Sequence, residues 1–305
     1  MIPGYLQLSD TGELAHRIEL LTRHYRECSL CPHQCRVDRL SGSIGICRSG
    51  PYATVASSNI HTGEEPPISG YNGSGTIFFS GCSGRCIFCQ NYPISQLNTG
   101  KQVSDECLAE MMLDLQNRGC HNINLVTPTH YLPSIVSALS VAADRGLHLP
   151  LVYNTSGYER VEIIKLLEGI VDIYLPDIKY TNNDIASEIS GFSQYTQHNQ
   201  KAIKEMYRQV GNLKIEDGVA VKGIVIRHLI LPEDMSGTYK ALRYLACEIS
   251  PDIHISLMDQ YFPAYKAHHH KRLSRRITVD EYEESIGYFD ECGLHNGWIQ
   301  EHFSG

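Results

Sequence analysis

The sequence predicts a protein of the α/β class: a parallel sheet covered by helices, with a cysteine-rich appendage at its N-terminus. Three observations lead there. After residue 70, short apolar and β-branched runs alternate with helical patterns, the mark of strand–helix–strand units. The runs are apolar almost throughout, as in strands buried on both faces. Polar residues collect where each run stops, on the rim where parallel sheets carry their chemistry.

Six runs read as strands: "GTIFFS" (75–80), "NINLVTP" (122–128), "LPLVYNTS" (149–156), "VDIYLPDI" (171–178), "VKGIVIRHLI" (221–230) and "DIHISLMDQ" (252–260). Helices lie between them. "SDECLAEMMLDLQNRG" takes Ser104 as its N-cap and Gly119 as its stop. "YLPSIVSALSVAADRG" places Pro133 in the first turn, Leu132, Ile135 and Leu139 on one face, and Gly146 at the end. Thr278 and Glu281 have capping-box spacing ahead of "YEESIGYFDECG". Upstream, an amphipathic helix over residues 12–26 leads into the cysteine-rich segment and then the Gly/Pro-rich "HTGEEPPISGYNGSG". The expected organisation is an appendage over 1–70, the α/β core over 71–265, and a C-terminal loop and helix over 266–305.

The 305 residues are 42% hydrophobic and 20% charged, ample for a buried core. The net charge of −8 is spread without a block of like charges. Duplex binding needs clustered Lys and Arg, so this balance counts against nucleic acid as a partner. The nearest basic run, "HHHKRLSRR" (268–276), reads as a solvated connector. There is no cationic N-terminal region followed by an apolar run, and no apolar stretch reaches the ~18 residues of a membrane span. A cytoplasmic protein is expected. Eleven cysteines in a reducing compartment suggest metal or redox chemistry rather than disulfides. Cys107, Cys120, Cys247 and Cys292 are scattered and read as small buried hydrophobes. The other seven fall in two groups.

The second group is Cys82-x3-Cys86-x2-Cys89, directly after the first strand. Three thiolates on a short loop can each bind one iron of a cubane. A [4Fe–4S] cluster usually takes four cysteines. With three, one iron keeps a position open for a reactant, as catalytic metal sites do. A zinc loop short of one ligand is the alternative.

This loop resembles that of the radical S-adenosylmethionine (SAM) superfamily, in which CxxxCxxC follows the first strand of a partial (β/α)6 TIM-like barrel. The resemblance implies that fold here. It also implies that Cys82, Cys86 and Cys89 hold a [4Fe–4S] cluster whose open iron is chelated by SAM. Reductive cleavage would then give methionine and a 5′-deoxyadenosyl radical that abstracts hydrogen. Phe88 matches an aromatic that shields the cluster. Further segments extend the likeness over nearly the whole chain: "CSLCPHQCRVDRLSGSIGICRSG", "EEPPISGYNGSGTIFFSGC", "CQNYPIS", "INLVTPTHYLPSI", "DIYLPDIKY" and "IRHLILPE". They resemble the pyruvate formate-lyase activating enzyme-like branch. That branch implies a protein or peptide substrate and an electron donor such as flavodoxin or ferredoxin. The chain departs from the activases in two places. Where they carry Gly-Gly-Glu for the SAM amine, it has "VTPTH", and its extra cysteines precede the loop instead of following it. The alternatives are a radical SAM nucleic-acid modifier and a non-catalytic iron–sulfur electron-transfer protein. The latter needs a fourth ligand, for which His121 and His130 are the barrel candidates.

The resemblance also marks SAM-binding candidates. Asn154, Thr155 and Ser156 stand where activases carry polar residues near SAM, although such residues also form ordinary turns. Asp177 and Lys179 match an activase strand ending in Asp-x-Lys; alternation points both to one side, as site residues or as a structural ion pair. His228, beside Arg227, matches a SAM contact. Thr127 and Thr129 offer hydrogen bonds to the SAM amine in place of the missing acid. Glu64 and Glu65 read equally as a solvated turn or a substrate contact. The first cysteine group, Cys28-x2-Cys31-x3-Cys35-x11-Cys47, suits a structural zinc or a second iron–sulfur cluster.

Overall fold

In the computed structural model, which describes residues 2–299, the six apolar runs become neighbouring parallel strands. In chain order the strands are β1 Thr54–His61, β2 Ser74–Phe79, β3 Lys101–Gln102, β4 Ile123–Val126, β5 Leu151–Thr155, β6 Ile173–Pro176, β7 Lys214–Glu216, β8 Val219–Leu229, β9 His254–Met258 and β10 Gly297–Ile299. Their spatial order is β10-β9-β8-β6-β5-β4-β2-β1-β3, with β7 against β8. From β2 to β10 the main path is parallel, whereas β1 lies antiparallel on β2 and leaves the barrel unclosed.

Alternation along the strands sorts side chains between two layers. Ile123, Leu125, Tyr153, Tyr174, Ile224, Ile226 and Ile255 pack outward against the helices. Val152, Ile173, Leu175 and Val225 face inward, where Ile68 joins them. The helices begin and end as their sequences dictate. Ser104 accepts from the Cys107 amide at the head of Asp105–Asn117, and Pro133 lies in the first turn of Leu132–Asp144. Thr278 and Glu281 form the full capping box of Val279–Glu291.

Several elements differ from the sequence reading. The appendage contributes β1, a polar strand whose Ser57, Ser58 and Asn59 hide it from an apolar search. A helix, Gly4–Asp10, precedes the expected one, now Glu13–Arg26. It is held by Gly4 N–H on Asp172 (3.1 Å) and by Tyr5 OH on the Leu149 carbonyl (2.9 Å). The β7–β8 hairpin turns at Asp217-Gly218, both at positive φ, as a tight primed turn requires. Of the four scattered cysteines only Cys120 is buried; Cys107 and Cys292 are half-buried and Cys247 is exposed, because it lies on the outer face of helix Thr238–Glu248. The 268–276 run is no free basic patch: Arg272 pairs with Glu233, Arg275 with Glu281 and His270 with Glu188. Residues 300–305, part of the expected C-terminal segment, lie outside the described residues.

The Gly/Pro-rich stretch is not a solvated turn. It folds into the barrel, with Ile68 in the inner core and Glu64 and Glu65 buried on Arg227. The Arg227 guanidinium donates two 2.7 Å bonds to Glu65 and one to Glu64, whose other oxygen accepts from Asn124 Nδ2 at 3.0 Å. Burial alone would raise the Glu65 pKa; Arg227 overrides it and holds the carboxyl below the ordinary range. On the outer side, Glu159 is fully buried, and among the described residues no cation pairs with it. It accepts from Thr129 (2.6 Å) and Thr155, while its second oxygen has no partner. Burial pushes its pKa up to about 7 against the pull of those hydroxyls.

Two outcomes follow from these acids. Replacing Arg227 with Met strands two buried carboxylates, so denaturant melts of Arg227→Met should show a loss of roughly 3–5 kcal/mol. For Glu159 the folded pKa lies above the unfolded one, so stability is greatest below pH 4.5 and falls as pH rises through about 7. Between pH 5 and pH 8, Glu159→Gln should therefore remove up to about 3 kcal/mol of pH-dependent loss seen in the wild-type chain.

Candidate functional site

The cysteine loop leaves the C-terminal end of β2, at the open mouth of the barrel. Gly81, at φ 82°, lets the appendage pass close by: a side chain there would strike the Cys47 carbonyl at 2.6 Å and Ser49 Oγ at 2.7 Å. The loop backbone is clamped to the end of helix Asn183–Ser190. Arg85 N–H donates to the Ser190 carbonyl at 2.8 Å and Ile87 N–H to the Ile189 carbonyl at 2.9 Å. Phe88 is buried, edge-on to Tyr261 with ring centroids 5.8 Å apart.

Each of the three thiols has a neighbour able to donate to sulfur. Gly84 N–H points to Cys82 Sγ at 3.2 Å, Ser190 Oγ to Cys86 Sγ at 2.9 Å, and Ser95 Oγ lies 3.1 Å from Cys89 Sγ. As free thiols Cys82 and Cys86 hold their protons. Burial raises Cys82 to about 12, with Cys86 adding repulsion, and raises Cys86 to about 11 against the pull of Lys179. A cationic metal centre would displace those protons and use the donors already aimed at sulfur. Among the described residues no three Cys, His, Asp or Glu side chains form a group that could hold one metal ion. A cubane asks something different, one thiolate on each of three irons, and three thiols on one loop fit it.

Lys179 and Asp177 meet in the mouth as an ion pair, Nζ to Oδ2 at 2.5 Å. Burial pulls the Lys179 pKa down, yet Asp177, Cys86 and Cys89 lift it above its ordinary value. The ammonium thus stands beside the cysteine loop, charged. Thr127, Asn154 and Ser156 are half-buried where β4 and β5 end. Thr127 adopts φ 59°, a conformation that costs a β-branched residue on the order of 1 kcal/mol, and its N–H bonds the Asn154 carbonyl at 2.9 Å.

Three candidates do not reach the mouth: one is Thr155, buried with its hydroxyl on Glu159. Thr129 is buried on the outer side of the sheet, where it serves Glu159. His228 is fully buried on the face of β8 opposite Arg227, its ring nitrogens bonded to the Ile178 carbonyl (2.6 Å) and Thr238 Oγ1 (3.1 Å). Both histidines considered as a fourth ligand are engaged through Nε2. His121 Nε2 accepts from Asn72 N–H, and His130 Nε2 is bonded to the Ser80 carbonyl at 2.8 Å.

Sequence reasoning missed the struts of the rim. Asn199 Nδ2 donates to the carbonyls of Asp177 (2.8 Å) and Gly157 (3.2 Å). Tyr195 OH donates to the Ser156 carbonyl at 2.8 Å and accepts from Lys179 N–H at 2.9 Å. Gly157, at φ 71°, is required here because a Cβ would collide with Asn199 Nδ2 and the Asp177 carbonyl. In "YTQHNQ" these residues look like an ordinary helix surface; the one available signal was glycine following Asn-Thr-Ser.

Comparison with known proteins agrees with this geometry. The profile of the family described as "Radical SAM superfamily" matches residues 76–245, more than half of the chain. The chain is 32% identical over 289 residues to an uncharacterised protein of Methanocaldococcus jannaschii, covering 91% of this chain and 78% of that one. It is 23% identical over 161 residues to the pyruvate formate-lyase-activating enzyme of Clostridium pasteurianum, covering 51% of this chain and 61% of that enzyme. Among solved structures, methylornithine synthase is similar at 14% identity and TM-score 0.46 over 70% of this chain and 60% of the other. A maturase of the [FeFe]-hydrogenase is similar at 11% identity and TM-score 0.45, over 71% and 48%. With a thiol loop, a charged mouth and this profile match in register, the chain belongs to the radical SAM superfamily, whose members cleave SAM at an iron–sulfur cluster.

Proposed function

We propose that this protein is a hydrogen-abstracting radical SAM enzyme acting on a protein or peptide, with Cys82, Cys86 and Cys89 holding the [4Fe–4S] cluster. The observation that carries this reading is the thiol loop lying against the Lys179–Asp177 pair at the open barrel mouth. When bound, the cluster supplies the electron that cleaves SAM to methionine and the 5′-deoxyadenosyl radical, with a protein such as flavodoxin or ferredoxin as electron source. Lys179 offsets the negative charge of the thiolates. Phe88 and Tyr261 keep water from that side of the loop. Asp177, Asn154, Ser156 and Thr127 present polar atoms to the amino, carboxylate and ribose groups of SAM. The position of Thr129 and His228 argues for supporting roles instead.

A macromolecular substrate is supported by the rim next to the loop. Gln90, Tyr92, Phe262, Tyr265, His268 and Arg276 line an open cleft of about 580 Å³ starting one residue after Cys89. Tyr92 and Tyr265 stack there at 5.0 Å. Such a cleft suits an extended segment better than a small metabolite enclosed on all sides. The half-length likeness to an activating enzyme points the same way.

Anaerobically reconstituted protein given SAM and dithionite should release 5′-deoxyadenosine and methionine. Cys86→Ala should lower release by at least about 100-fold, as expected when one member of a cooperating set is lost. Intact SAM in the wild-type assay, with the cluster verified by Mössbauer spectroscopy, would overturn the reading. Asn154→Ala should weaken SAM binding roughly tenfold, the scale of one lost hydrogen bond, while Thr129→Val leaves it unchanged; calorimetric titration measures both.

A further inference from the structure

The appendage contains a fully buried guanidinium with nothing negative beside it. Arg39 is 0% exposed. It lies 4.3 Å over the Tyr25 ring and 5.7 Å over Tyr131, and donates to the carbonyls of His130 (2.6 Å) and Gly50. Its Nε–H has no partner, and among the described residues no carboxylate pairs with it. A buried ion without a counter-charge is strongly disfavoured, so this position calls for an anion.

Cys28, Cys31 and Cys47 are buried and Cys35 is half-buried in the segment that carries Arg39. Ile46 N–H points to Cys35 Sγ at 3.5 Å. Gly45 leaves Cys35 the space it occupies, since a Cβ there would lie 2.8 Å from its sulfur. A neutral thiol needs no such donor, whereas a metal-bound thiolate does. Among the described residues no three ligands gather here as they would around one ion.

This group also touches the SAM-cleaving loop at three points. The Cys47 carbonyl packs on Gly81, His33 Nε2 bonds the Ser83 carbonyl at 2.8 Å, and Arg85 Nη2 reaches the Ile46 carbonyl. Every contact joins a residue next to one set of cysteines to a residue next to the other, one through backbone alone and two from a side chain to a carbonyl.

From the uncompensated Arg39, the Ile46 N–H directed at sulfur and this abutment, we infer that Cys28, Cys31, Cys35 and Cys47 bind a second iron–sulfur cluster, with Arg39 as its buried counter-charge. The cluster relays electrons: it takes one electron from a low-potential one-electron protein donor, which is oxidised, and returns to its own oxidised state on passing that electron to the first cluster. The relay rests on the proposed SAM chemistry; the cluster assignment does not. A structural zinc would carry similar charge but gives no reason for the two loops to be held together.

The test begins with Cys82→Ala/Cys86→Ala/Cys89→Ala protein, reconstituted anaerobically. It should retain roughly half the iron and sulfide of the wild type, and show on reduction an EPR signal that SAM leaves unchanged. Zinc without sulfide at this site, or neither metal, overturns the inference whatever the outcome of the SAM assay. In the same background Arg39→Leu should shift the midpoint potential of the retained signal to more negative values, because a positive charge that favours the reduced state is gone, and Arg39→Lys should restore it. An unchanged potential in a folded Arg39→Leu protein removes Arg39 as the counter-charge. Finally, Cys28→Ala/Cys31→Ala protein should cleave SAM with dithionite but at least tenfold more slowly with reduced flavodoxin; equal rates with both reductants overturn the relay while leaving the SAM reading intact.

Discussion

The structure turns on crowded sulfur. Seven cysteines occupy two loops that touch, and burial makes the thiolates of Cys28, Cys31, Cys82 and Cys86 costly unless a cation compensates them. The fold brings Lys179 to one loop and Arg39 to the other. Amides and hydroxyls aimed at sulfur complete the preparation.

The barrel serves that requirement. Parallel strands end on one rim, so the loop after β2 meets the ends of β4, β5 and β6 without any long excursion. Tyr195 and Asn199 tie the carbonyls of those ends together, fixing where Asp177 and Lys179 point. Below, Arg227, Glu64 and Glu65 fasten the appendage segment into the barrel, so the first cysteine group cannot drift away from the second. Stability and chemistry are thus coupled through the chain that links the two cysteine loops.

Much of this could be read from the sequence because it is local. The parallel strands were legible as apolar runs, the helix starts as caps, and the cysteine loop as a spacing that leaves one iron open. What escaped depends on contacts distant in the chain. Glu64 and Glu65 read equally as a wet turn or a substrate contact because their partner, Arg227, is more than 160 residues away. His228 and Arg227 are adjacent in sequence, yet alternation along β8 sends them to opposite faces, and only the placement of β8 in the sheet says which face is the mouth. Thr127 and Thr129 separate for a different reason: the chain leaves β4 at Val126 and enters the turn Thr129–Tyr131, which puts one at the rim and the other on Glu159. β1 was hidden by its serines, and Arg39 by the absence of any motif for a lone cation.

The central claim is that one iron of the cluster on Cys82, Cys86 and Cys89 is left for SAM. The most direct measurement is pulsed ENDOR on the reduced cluster with SAM labelled with ¹⁵N in its amino group. A strong ¹⁵N coupling is the predicted result, showing the amine bound to iron. Absence of that coupling, with a histidine or other protein nucleus coupled in its place, would contradict the account.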